Sequence, residues 1–206
     1  MNTKMLRTIR LVSFVLIFAL AGFYASLWLS EAPVPAAEIE TTLPQTVASV
    51  ETLPEFVLND LAGSPRSIAE FTGRPLLINF WATWCAPCLR EMPMFEAVWQ
   101  ERIADHSLQI IGIAIDRTEA VGAYLQQTGV TYPILVGQSD AMDAADSFGP
   151  DFAGLPFTVF VSADRQILLS HSGELLREQL DAILSVVDDV AAGHVSVADA
   201  RTRLAR

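Results

Sequence analysis

Two hydrophobic periods alternate along the chain from residue 56 onward. FVLND at 56–60 predicts a short strand, and PLLINFWA at 75–82 is a continuous apolar run of the kind that forms a strand covered on both faces. In 86–104 the spacing changes to three and four, with Met92, Phe95, Trp99 and Ile103 on one stripe, which predicts a helix kinked at Pro93. LQIIGIAID at 108–116 predicts a second buried strand, 118–128 a helix, YPILVG a short strand and 139–148 another helix. FTVFVS and QILLSHS predict two strands joined by the turn residues ADR, and Leu176, Leu180, Ile183, Val187 and Val190 predict a long final helix.

The resulting order is β-α-β-α-β, then a hairpin and a helix. It predicts an α/β fold with parallel central strands, an antiparallel edge and helices on both faces, a central mixed sheet over residues 54–192. The tail 193–206, HVSVADARTRLAR, is assigned no role and is expected to be a short helix or a frayed end. No repeat and no glycine-rich phosphate loop is present.

The first 29 residues follow a different pattern. Residues 1–10 carry Lys4, Arg7 and Arg10 without an acid, and 11–29 carry no charge at all. As a helix, those nineteen positions would reach about 28 Å, close to the apolar thickness of a bilayer. The reading is a transmembrane anchor with 1–10 on the cytoplasmic side and the remainder outside. A cleaved secretory signal is the alternative, but its apolar region is usually about 7–15 residues long. Either one exports the rest of the chain to a compartment where disulfides persist. Residues 30–53, rich in Pro, Ala, Thr and Glu, read as a flexible tether to the domain beginning at 54.

Charge removes one class of function. The chain has 13 Lys and Arg against 24 Asp and Glu, a net charge of −11. With the three leading cations set aside the remainder is more acidic still, and no basic footprint for nucleic acid exists.

Only two cysteines occur, Cys85 and Cys88, within NFWATWCAPCLREMP. As a structural staple, so small a ring constrains the unfolded chain least. As a zinc site the pair lacks partners, because His106, His171 and His194 are scattered, and Leu89 stands where a haem-attachment motif needs His. Thiol–disulfide exchange fits the local chemistry. Cys85 is placed where a strand turns into a helix, with Pro87 in the first turn, and the free N–H groups there favour a thiolate. Cys88, one turn further in, is positioned to resolve a mixed disulfide.

WCAPC after a buried strand, with GLPFT at 154–158 before a late strand, resembles the thioredoxin fold. More narrowly, NFWATWCAPCLREMP resembles the membrane-anchored TlpA/ResA-type thiol–disulfide oxidoreductases of the bacterial envelope, over about residues 54–190. The resemblance implies a cis proline at Pro156 facing the cysteine pair. It also implies an acidic catalytic residue at Glu91, which would hold or relay the proton of Cys88, whereas Asn79 stands where cytoplasmic thioredoxins have a buried Asp. Its catalytic set is thus Cys85, Cys88, Glu91 and Pro156, with Trp84, Ala86, Pro87 and Leu155 meeting the substrate and Trp81, Phe95, Trp99 and Phe160 in the core. GPDFAGL at 149–155 is longer than the usual approach to the cis proline, and Leu155 and Phe157 are expected to narrow the substrate range.

The implied activity is extracytoplasmic reduction of disulfides in envelope proteins, with apocytochrome c or copper-site cysteines as clients and an integral membrane thiol carrier as electron donor. It needs no cofactor beyond the redox-active disulfide. An oxidant or isomerase is the first alternative. A peroxiredoxin-like peroxidase is disfavoured because only Trp84 separates Thr83 from Cys85, and a copper chaperone because only two residues separate the cysteines.

Overall fold

The apolar runs become the centre of one seven-stranded mixed sheet. The computed structural model describes Leu20 and residues 50–205. Leu20 apart, the anchor expected over 11–29 and the tether up to residue 49 lie outside the described residues, among which no helix is long and apolar enough to cross a membrane. The strands are β1 (Val57–Asp60), β2 (Pro65–Ser67), β3 (Leu76–Trp81), β4 (Gln109–Ile115), β5 (Ile134–Gly137), β6 (Phe157–Val161) and β7 (Ile167–Ser172). Their order across the sheet is β2-β1-β5-β4-β3-β6-β7. β3, β4 and β5 are mutually parallel, while β6 and β7 on one side and β1 and β2 on the other run antiparallel to their neighbours. Every residue of β3 and β4 is buried, as continuous apolar runs require.

Among the described residues five α-helices flank the sheet: α1 (Ala86–Arg102), α2 (Thr118–Thr128), α3 (Ser139–Asp146), α4 (Arg177–Ala191) and α5 (Val197–Leu204). Strand alternation sends Leu77 and Trp81 into one apolar core with Met92, Phe95 and Leu184, and sends Leu76, Ile78 and Phe80 into the other with Ala145 and Phe148. The two cysteines belong to the first core.

Several details depart from the sequence expectation. β2 was not anticipated, because PRS carries a proline and a cation. It forms as an edge strand after a turn in which Asp60 Oδ1 accepts from the N–H groups of Ala62 and Ser64. Leu176 does not belong to the buried stripe of α4: it is the N-cap and is 58% exposed. Ile103 likewise caps α1 and is exposed, while Met92, Phe95 and Trp99 are buried. Pro93 lies inside α1, as the sequence pattern expects.

Both ends of the domain are held more firmly than a tether and a tail would be. The Leu53 N–H donates to the Arg165 carbonyl at 2.9 Å, the Ile167 N–H donates to the Glu51 carbonyl at 2.9 Å, and Thr52 bridges Gln166. α5 starts at Ser196, whose hydroxyl accepts from the Asp199 N–H at 3.1 Å. From α5, Arg201 donates to the carbonyls of Ile167 at 2.7 Å and Glu51 at 2.8 Å, so the last helix ties β7 to the segment that enters the domain.

Gly112 on β4 lies opposite Asn79 on β3, and its lack of a side chain makes room for two rings. A Cβ there would stand 3.1 Å from Trp81 Nε1, 3.2 Å from Tyr132 Cε2 and 2.5 Å from Ile134 Cδ1. Gly112→Ala is expected to destabilise the domain by about 1–3 kcal/mol through overpacking, measured by denaturant unfolding. An unchanged midpoint would show that Ile134 alone absorbs the methyl group.

Candidate active site

β3 delivers the two cysteines to the end of the sheet. After Trp81 the chain turns, the Cys85 N–H donates to the Ala82 carbonyl at 3.1 Å, and Cys85 becomes the N-cap of α1. Pro87 fits the first turn, where the helix needs no donor. The turn is pinned from β4: the Thr83 N–H donates to Asp116 Oδ2 at 3.0 Å, and the Thr83 hydroxyl donates to the same oxygen. Burial acts to raise the Asp116 carboxyl, but the Thr83 hydroxyl and the backbone N–H groups of Arg117 and Thr83 outweigh it and hold the group below the usual range.

Cys85 and Cys88 form a disulfide, with Cα atoms 5.3 Å apart. Cys85 Sγ accepts from the Cys88 N–H at 3.4 Å, so the first sulfur sits on the free donors of the helix start. Cys85 retains 6% of its surface and Cys88 none, so a partner can reach only the first sulfur directly. Trp84 beside it is 68% exposed, Ala86 is exposed, and Pro87 is half-buried.

The Leu155–Pro156 peptide bond is cis, the state implied by the resemblance, and Pro156 is buried just before β6. Leu155 is half-buried and packs between the two cores. Phe157 does not border the site: it is fully buried in the opposite core, with Phe80, Phe148 and Phe152 rings 5.3–5.8 Å away. The residue after the cis proline, Phe157, thus packs into the opposite core, so of the two bulky residues only Leu155 is placed to touch a partner.

Glu91 lies inside the domain, 2% exposed. Its Oε1 accepts from Asn79 Nδ2 at 2.8 Å and its Oε2 from the Leu175 N–H at 3.0 Å. Asn79 Nδ2 also donates to Thr158 Oγ1 at 3.1 Å, so β3, β6, α1 and the segment after β7 converge on one carboxyl. Burial pushes Glu91 up to about 7; the Leu175 and Asn79 donors oppose the rise and the charge of Glu174 adds to it. Near neutral pH the group is therefore poised to exchange a proton.

Asn79, noted in the sequence only as standing where cytoplasmic thioredoxins have an acid, is in the structure the donor that holds Glu91. The visible signal was a lone polar residue in the apolar run PLLINFWA, facing Thr158 across the β3–β6 pair. The Leu175 N–H left no such signal, because a backbone donor is not encoded by its side chain. Asp116, Arg90 and Glu174 were also missed. Among the described residues no group of three or more His, Cys, Asp or Glu could hold a metal ion.

The chain is similar in sequence and in fold to known proteins. A family model described as the AhpC/TSA family matches residues 50–169. The thiol-disulfide oxidoreductase ResA of Bacillus cereus is 29% identical over 135 residues, covering 65% of this chain and 75% of that protein. ResA of Geobacillus kaustophilus is 28% identical over 142 residues, covering 68% of this chain and 79% of that one. Among solved structures, StoA from Bacillus subtilis is similar in fold, with a TM-score of 0.52 at 19% identity over 65% of this chain and 98% of that one.

Glu91 also links stability to pH. The folded state holds its proton to about pH 7, whereas the unfolded chain releases it near 4.5, so stability falls as pH rises through that window. The full cost above pH 7 is about 3 kcal/mol. Glu91→Gln, whose amide does not titrate, is expected to lose most of the stability change between pH 4.5 and 7 in denaturant unfolding. Parallel pH–stability curves for the two proteins would contradict this.

Proposed function

Since the chain belongs to the AhpC/TSA family and is similar in sequence to proteins named thiol-disulfide oxidoreductases, we propose that it catalyses thiol–disulfide exchange with protein partners, working as a reductant. The observation that carries the reading is a redox-capable pair at the N-terminus of α1, with only its first residue retaining exposed surface and a cis proline at the same end of the β3–β6 pair.

The reduced protein begins the reaction. The Cys85 thiolate, stabilised at the helix start, attacks one sulfur of a client disulfide and expels the other as a thiolate, forming a mixed disulfide. Cys88 passes its proton to Glu91 and attacks Cys85 Sγ, expelling the second client thiolate. Two client thiols form as the Cys85–Cys88 disulfide does, and both electrons come from the pair. The positive end of α1 favours the thiolate of Cys85, while the buried carboxyl serves Cys88, which solvent does not reach. Trp84, Ala86, Pro87 and Leu155 form the rim that a client peptide meets.

We place the domain outside the cytoplasm, carried by the anchor at 11–29. Apocytochrome c or copper-site cysteines are then its clients, and an integral membrane thiol carrier regenerates the dithiol. What supports this is the apolar run with basic residues before it and the similarity to ResA proteins. A peroxidase is the weaker reading, because only Trp84 separates Thr83 from Cys85 and the Thr83 hydroxyl is engaged by Asp116.

The test is trapping. Cys85→Ser is expected to abolish reduction of a disulfide substrate, whereas Cys88→Ser is expected to accumulate mixed disulfides that dithiothreitol releases. Mixed disulfides on Cys85→Ser instead would reverse the assigned roles, and efficient peroxide turnover by the parent would overturn the reading.

A further inference from the structure

Three consecutive residues between β7 and α4 each reach a different part of the site. The Gly173 N–H donates to the Pro156 carbonyl at 2.8 Å. Glu174 accepts from Arg90 through two hydrogen bonds, Nε to Oε1 at 2.9 Å and Nη2 to Oε2. The Leu175 N–H donates to Glu91 Oε2. The segment thus touches the cis-proline loop once and neighbouring residues of α1 twice. Gly173 has φ +112°, a conformation that L side chains rarely adopt, which lets the backbone turn and present three successive groups inward.

We propose that Arg90 and Glu174 are positioning residues: their ion pair closes the 173–175 segment over the start of α1, holding the Leu175 N–H on Glu91 and the Gly173 N–H on Pro156 together. Of the three links the ion pair alone is made by side chains at both ends, so substitution can open it without touching Glu91 or the backbone. Its worth to global stability is small, because Arg90 is 60% exposed and Glu174 28%, and exposed pairs contribute little. Its effect is local. Opening it removes one of the two donors that hold the acid and frees the carbonyl side of the cis-proline loop. The consequence for catalysis rests on the oxidoreductase reading; the closure of the segment does not.

The groups facing Glu91 define what a pH experiment must separate. They are Asn79 on β3, hydrogen-bonded in turn to Thr158 on β6; the Leu175 amide and Glu174 from the segment after β7; and Tyr132 before β5, whose hydroxyl feels the Glu91 charge. Arg90 is the neighbouring cation on its own helix. If Arg90 and Glu174 acted on Glu91 only as charges, removing the cation would raise the carboxyl's titration midpoint and removing the anion would lower it. Opening the segment shifts the midpoint in one direction for both variants, because both lose the same contacts.

The experiment uses the isotope-labelled full chain, with Arg90→Gln, Glu174→Gln and the swapped pair R90E/E174R. It follows amide exchange at Gly173 and Leu175 and the Glu91 side-chain carbon signal against pH. Both single variants are expected to exchange the Leu175 and Gly173 amides at least tenfold faster, with Glu91 midpoints shifted in the same direction, an unchanged Tm, and recovery in the swap. Retained amide protection with opposite midpoint shifts would overturn the proposal and leave a plain charge effect. Disulfide reduction by the parent is measured in parallel, so an inactive parent counts against the function without bearing on the segment.

Discussion

A carboxyl group taken out of water must be met by donors or stay protonated, and Glu91 does some of each. Its two hydrogen-bond partners, Asn79 Nδ2 and the Leu175 N–H, are both neutral, and they offset only part of the cost of burial, so its titration stays near neutrality. A cation in Asn79's place would have returned the group to an ordinary carboxylate. Holding it this way requires β3, β6, α1 and the segment after β7 to meet at one point, which the mixed sheet achieves by running β6 antiparallel beside β3. The cis proline enters β6 at that same end, so the positions of acid and proline follow from one strand pairing.

The cysteine pair depends on the same arrangement. A buried parallel strand that ends at Trp81 must turn immediately into a helix packed on the sheet, and the turn leaves the free N–H groups of α1 pointing at Cys85. Asp116, at the end of the neighbouring strand, fixes that turn through Thr83. The gradient of exposure does the rest: Trp84 is open to solvent, Cys85 nearly closed and Cys88 fully enclosed, so exchange proceeds inward, from partner to first sulfur to second.

Much of this was legible because hydrophobic period reports burial directly. The runs at 75–82 and 108–116 became fully buried strands, and the spacing of WCAPC put Cys85 at a helix start. What escaped was held by groups with no periodic signature. β2 and the entry at 51–53 pair through backbone on an edge, α5 relies on one serine cap and Arg201, and Leu176 continues a stripe in sequence while standing outside the helix. In the site, both cysteines, Glu91 and Pro156 could be named from motif and resemblance. The partners of Glu91 could not, because Asn79 and Thr158 meet only through strand pairing and Leu175 contributes only its amide.

The most direct test of the account is the equilibrium reduction potential of the Cys85–Cys88 couple in the full chain. Known dithiol proteins range from about −270 mV for thioredoxin to about −120 mV for a strong oxidant. A protein that donates electrons to client disulfides is expected at about −230 mV or below, toward the thioredoxin end of the scale. A value above about −160 mV would put the couple with the oxidants and contradict the proposed direction of transfer.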